Sequence, residues 1–171
     1  MKIACRVPLR IDLAGGWSDI PPFAHREGGA VLNVAIAQYI TGEVQRSRRR
    51  GQEDLRISYG LDLPAGAGLG SSAALSVAWL ALVRANMGQS LDRPALARSA
   101  CELGALLGIL GGKQDEYAAA LGGVNLMRFD QSVHVEPVHL TAERRADLET
   151  RLVLCYSGQP RLSGDIHDRV W

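Results

Sequence analysis

Pro64-Ala65-Gly66-Ala67-Gly68-Leu69-Gly70-Ser71-Ser72-Ala73-Ala74 is the stretch on which the reading of this chain turns. Three glycines at alternate positions let backbone approach a ligand without interference from Cβ atoms. The apolar run that follows, residues 73–87, is long enough for a helix and apolar almost all round, which predicts a buried one. A loop entering a helix in this way presents N–H groups with no intrahelical partner, and with the helix dipole these favour an anion. Ser71 and Ser72 add hydroxyls suited to a phosphate oxygen or Mg²⁺. The string contains no Gly-Lys-Ser/Thr, so it is not a Walker A loop, and it lacks the third glycine of a dinucleotide fingerprint. The plainer alternative is a flexible turn with Ser71 as an ordinary helix cap.

Upstream, residues 2–14, 30–46 and 54–63 are rich in β-formers and read as strands. Downstream, Asp92 and Pro94 signal a helix over 94–107. A short helix at 114–121 stops at Gly122-Gly123. Residues 124–129 and 133–139 read as a hairpin turning at 130–132, Thr141 caps a further helix, and 151–158 read as a final strand. Strands first and helices after them indicate an α+β fold.

Of the 171 residues, 47% are hydrophobic and the formal net charge is +1, so a sizeable core is available and no polyanion such as nucleic acid is attracted. The basic cluster Arg46, Arg48, Arg49 and Arg50 reads as a solvated hairpin loop. Three widely spaced cysteines show neither zinc-ligand nor disulfide-scaffold spacing and fit a reducing cytosol. No run of membrane-spanning character and no signal-peptide pattern is present, so a cytoplasmic location is expected.

Three segments in order carry a resemblance. PAGAGLGSSAA is similar to the phosphate-binding motif of the GHMP kinases, the superfamily of galactokinase, homoserine kinase and mevalonate kinase. Val7-Pro8-Leu9-Arg10-Ile11-Asp12-Leu13-Ala14-Gly15-Gly16, with Ser18-Asp19, resembles the substrate motif of its sugar kinases. Gly111-Gly112-Lys113-Gln114-Asp115-Glu116-Tyr117 resembles the motif holding the catalytic aspartate. RIDLAGGWSD, GGAVLNVAI, GKQDEYAAALGG and RLSGDIHDRVW are similar to the fucokinase-like and heptose-7-phosphate-kinase-like branch.

The resemblance implies a ribosomal-protein-S5-domain-2-like half, a mixed sheet backed by helices, and an ATP- and Mg²⁺-dependent transfer of the γ-phosphate to a sugar hydroxyl. Longer members carry a ferredoxin-like C-terminal domain with a third glycine-rich motif. Nothing here matches it, so the chain is expected to be an N-terminal half, with a C-terminal half on another chain or a homo-oligomer as possible partners. By the resemblance Pro64, Gly66, Ala67, Gly68, Leu69, Gly70, Ser71 and Ser72 hold ATP, Ser71 and Glu102 bind Mg²⁺, and Gly16, Trp17 and Asp19 meet the sugar. Asp115 receives or orients the hydroxyl proton, with Lys113 and Arg10 near the transferred phosphoryl group.

Each residue has a plainer alternative. Asp115 suits a helix N-terminus as a dipole-stabilised carboxylate, Lys113 a solvated loop, and Arg10 the surface. Glu102, in an apolar stretch that suggests burial, could pair with Arg98 one helical turn away. Asp19 could be a turn residue before Pro21-Pro22 and Trp17 simply core. A non-catalytic nucleotide- or sugar-binding fragment, or another small-molecule kinase or decarboxylase on this scaffold, stays open.

Overall fold

The computed structural model describes residues 2–49, 52–64, 66–109 and 111–160. Arg50, Gly51, Ala65, Leu110 and the RLSGDIHDRVW segment lie outside them.

The longest element is strand β2 (Gly29–Arg49), and the sheet is organised along it. β1 (Lys2–Ala14) runs antiparallel down one edge. The other edge is shared end to end. β3 (Gln52–Leu61) pairs with the later part of β2. β4 (Val124–Phe129) pairs with residues 29–34, and β5 (Val133–Pro137) follows outside it. Every pairing among the described residues is antiparallel, so the sheet expected to be mixed is an antiparallel one. Arg46, Arg48 and Arg49 belong to the β2 ladder, as Arg49 faces Gln52. The basic run is thus the end of a strand, where a loop was expected.

Helices α2 (Ser71–Asn86), α3 (Arg93–Leu106) and α4 (Gln114–Leu121) pack on one another, and α2 and α4 also on β1 and β2. Val7 and Leu9 of β1 meet Val77, Ala78 and Ala81 of α2 in one buried cluster. The small residues on that face of α2 permit close contact with the sheet: a Cβ at Gly42 of β2 would lie 2.9 Å from Leu82 Cδ1. A second cluster joins Val31, Met127 and Phe129 of the sheet to Tyr117 and Ala118 of α4. Contrary to the expectation of a fully buried helix, α2 leaves Leu75 and Trp79 41% and 40% exposed. They occupy one side, at i and i+4, away from the buried positions.

Two elements differ from the sequence reading. Pro21–Glu27 forms a short helix, α1, with proline at its start, in a segment for which no element was expected. Residues 152–160 form no strand after helix α5 (Ala142–Arg151). Val153 is 84% exposed, and the segment joins no sheet edge that could satisfy its backbone groups among the described residues. No described helix is long and apolar enough to cross a membrane.

Candidate functional site

The glycine-rich loop ends at Gly70, which adopts φ 72° and leads directly into α2. That left-handed conformation suits glycine. No side chain caps the start of α2, so its first-turn N–H groups keep their donor capacity. Ser71 and Ser72 are the first two residues of the helix.

The loop is pinned to β1 at two points. The Arg10 backbone N–H donates to Leu69 O at 3.2 Å, and the Arg10 guanidinium Nη1 donates to Gly68 O at 3.0 Å. The same guanidinium donates through Nε to Asp115 Oδ1 at 2.7 Å. A Cβ on Gly70 would lie 3.3 Å from the Asp115 carboxylate. Loop, Arg10 and Asp115 therefore meet in one place, though they come from three distant parts of the sequence. The plainer alternative for Arg10 does not hold, since it is largely buried; Asp115 does lie in the first turn of α4, where it also has a cationic partner from another element.

Asp19 lies beside this group but below the surface, 2% exposed, with Oδ2 accepting from the Gln114 backbone N–H at 2.9 Å. Burial is the main cause raising its carboxyl above the usual range, and the neighbouring charges of Asp115 and Asp12 act in the same direction. The loop before it is held by Ser18, whose hydroxyl donates to Gly15 O at 2.6 Å and accepts from Ala30 N–H at 3.1 Å. Gly16 and Trp17 are exposed on that loop, and Trp17 takes φ 72°, unusual for a side-chain-bearing residue. The alternative of a core tryptophan does not hold.

Glu102 is exposed on α3, contrary to the burial that its apolar neighbours suggested. The apolar residues around it lie on other sides of the helix: Ala97 and Ala100 turn inward. Lys113 immediately precedes α4.

Three residues of this site had no part in the expectations. Asp12 accepts at Oδ2 from Gln114 Nε2 at 3.2 Å. Glu116 is pushed up to about 8, by burial first and then by Asp115 next to it. The local signals were present: Asp12 stands two positions from Arg10, hence on the same side of a strand, while Gln114 and Glu116 flank Asp115.

The sequence matches the family described as GHMP kinases N terminal domain over residues 34–123. It is 28% identical to the D-glycero-alpha-D-manno-heptose 7-phosphate kinase of Campylobacter jejuni, across 97% of this chain and 62% of that protein. It is 24% identical to the bifunctional fucokinase/GDP-fucose pyrophosphorylase of Arabidopsis thaliana, across 96% of this chain and 21% of that protein. The fold is similar to that of a crystallised D-glycero-D-manno-heptose 1-phosphate kinase from Bacteriodes thetaiotaomicron. There the TM-score is 0.79 at 26% identity, covering 88% of this chain and 64% of that one. The chain thus spans less than two thirds of each of these proteins. The family match takes in the glycine-rich loop, α2, α3 and the Asp115 helix, which is just over half of the residues, and the chain belongs to the GHMP kinases through their N-terminal domain.

Proposed function

We propose that this chain is the nucleotide-binding part of a sugar kinase, transferring the γ-phosphate of ATP to a hydroxyl of a sugar or sugar phosphate. The observation that carries this reading is the meeting of an uncapped helix N-terminus, the Gly68–Gly70 turn, Arg10 and Asp115. The similarity to heptose-phosphate and fucose kinases supports the acceptor class.

In this reading the backbone of residues 66–70, with Pro64 at its entry and Ser71 and Ser72 at its exit, holds the ATP phosphates. Arg10 bridges the loop and Asp115, so it fixes the carboxylate and lies where phosphoryl charge develops. Asp115 accepts the proton of the attacking hydroxyl or orients that hydroxyl. Lys113 contributes positive charge from the turn before α4. The sugar is taken by the loop ending at Asp19, with Gly16 and Trp17 at its surface and Asp19 anchoring it from below. Most of the rate enhancement comes from positioning and electrostatics, as expected for phosphoryl transfer.

Magnesium would neutralise phosphate charge during transfer. Ser71, next to Gly70, whose Cβ position lies 3.3 Å from the Asp115 carboxylate, has the hard oxygen such an ion needs. Glu102, exposed on α3, remains the proposed second ligand. Two protein oxygens suffice, because Mg²⁺ keeps water and substrate phosphates in its shell. The free thiols Cys5, Cys101 and Cys155 suit a cytosolic location.

Gly68→Val tests the nucleotide assignment. Gly68 has φ 78°, which a β-branched residue avoids, and the space beyond its Cβ position is open. The variant is expected to stay folded with a lowered thermal transition and to lose Mg·ATP binding in calorimetry. Wild-type ATP affinity in a folded variant would refute the loop assignment.

A further inference from the structure

Gln114 precedes the proposed catalytic carboxylate and is 5% exposed, yet phosphoryl transfer gives it no task. It engages two acids at once, Asp19 buried and Asp12 partly so. Its backbone N–H donates to Asp19 Oδ2 at 2.9 Å, and its side-chain amide donates to Asp12 Oδ2 at 3.2 Å. We propose that Gln114 is a positioning residue that locks the Gly15–Asp19 loop, through Asp12 and Asp19, to the helix carrying Asp115.

Alternation along β1 supplies the geometry. Arg10 and Asp12 project to the same side of the strand, and they meet consecutive residues of α4. Arg10 to Asp115 is one rung at 2.7 Å, and Gln114 to Asp12 is the next. The third contact serves the helix itself. A first-turn N–H has no intrahelical acceptor, and Lys113, at the capping position, makes no side-chain cap. Asp19, 95 positions away in sequence, supplies the missing acceptor. It is a remote cap for α4.

Two glycines make the close approach possible. A Cβ at Gly112 would lie 1.9 Å from Asp19 Oδ2, and one at Gly16 would lie 2.1 Å from Asp12 Oδ2. Gly16 thus belongs to the substrate loop and Gly112 to the approach to Asp115, and each is shaped around a carboxylate that Gln114 binds. The result is a belt running from the loop to the catalytic helix. Movement of that loop by a bound sugar would be passed to Asp115 through hydrogen bonds about 3 Å long, as in any hydrogen-bonded network with few alternatives.

The kinetic consequence rests on the phosphoryl-transfer reading; the clamp itself does not. Gln114→Met keeps the side-chain length and the backbone N–H but removes the amide. Misplacement of a reacting group by about 1 Å can cost on the order of a hundredfold. The expected result is therefore a kcat at least roughly tenfold lower with the ATP KM unchanged. A purely structural role would lower stability and leave kcat of the folded fraction alone. The rescue is the double variant Asp12→Asn with Gln114→Glu, which exchanges donor and acceptor across the same contact. It should recover most of the activity, whereas Gln114→Glu alone, setting a second carboxylate against Asp12, should not. Wild-type kcat in Gln114→Met, or no difference between Gln114→Glu and the double variant, overturns the proposal. If the wild-type chain, completed with the C-terminal half that longer family members carry, transfers phosphate to no sugar, the functional reading fails and the clamp is judged by hydrogen exchange at the amides of residues 115–118. Exchange there about tenfold faster in Gln114→Met, with α5 unchanged, supports the clamp; unchanged exchange overturns it.

Discussion

Asp115 and Glu116 are adjacent in sequence but differ in their surroundings. Asp115 has the Arg10 guanidinium at 2.7 Å. Glu116 points into the protein, leaves Oε2 without a hydrogen-bond partner among the described residues, and has its acidity weakened to about 8. The first residue is therefore paired with a cation, and the second is a neutral acid at neutral pH. With the C-terminal half of longer family members supplied, Asp115→Asn should lower kcat by at least roughly a hundredfold with little change in ATP affinity, measured by steady-state kinetics and calorimetry. Near-normal kcat would leave Asp115 as no more than a helix-end carboxylate. Glu116 has a pH signature. Its folded-state value lies above the ordinary 4.5, so the folded protein holds a proton that the unfolded chain has released. The stability this provides is fully present below about pH 4.5 and is lost as pH rises through about 8. Glu116→Gln should flatten that slope, gaining on the order of 1–3 kcal/mol relative to wild type at pH 8 and little at pH 4 in denaturant titrations. Parallel slopes for the two proteins would contradict the burial argument. Arg10 and Asp115 were legible in the sequence because each sits in a motif with a chemical meaning. Asp12 and Gln114 were not, since their contact spans 102 positions and depends on which side of β1 faces α4.

At the scale of elements, local chemistry fixed most of what could be read. α4 runs over Gln114–Leu121 as its glycine stop predicted, and α3 starts after Asp92, whose side chain accepts from Ala95 N–H at 3.2 Å. Asp92→Ala should cost about 1 kcal/mol, the usual loss for such a cap, read from the denaturation midpoint at constant m-value. Leu82 of α2 is fully buried against the sheet. Leu82→Ala should cost about 2–5 kcal/mol through lost burial and the cavity left behind. A loss below about 1 kcal/mol would mean that α2 is not docked on β2 as described. The missed elements have physical reasons too. Pro21-Pro22 suggests a turn, yet proline is also well suited to a helix start, which is how α1 uses it. Residues 152–158 have strand composition, but composition cannot supply the neighbouring edge a strand needs.

For the whole molecule, the α+β class followed from the order of strand and helix patterns, whereas the sheet order did not. The β2–β3 hairpin is local, but placing β4 end to end with β3 on the same edge of β2 pairs residues far apart in sequence, which no local pattern encodes. That arrangement nevertheless makes the site. It leaves β1 on the outer edge, where Arg10 reaches both the glycine-rich loop and α4. In the proposed function this convergence serves phosphate transfer once a C-terminal half completes the cleft. The most direct test is γ-labelled ATP with Mg²⁺ and a panel of L-fucose, D-mannose, D-galactose and a heptose 7-phosphate, run in parallel on wild type and Asp115→Asn, each completed with the C-terminal half that longer family members carry. Label in at least one sugar is expected with wild type, and a loss of at least roughly a hundredfold with Asp115→Asn. ATP binding with no label in any sugar, or equal labelling by both proteins, would contradict it.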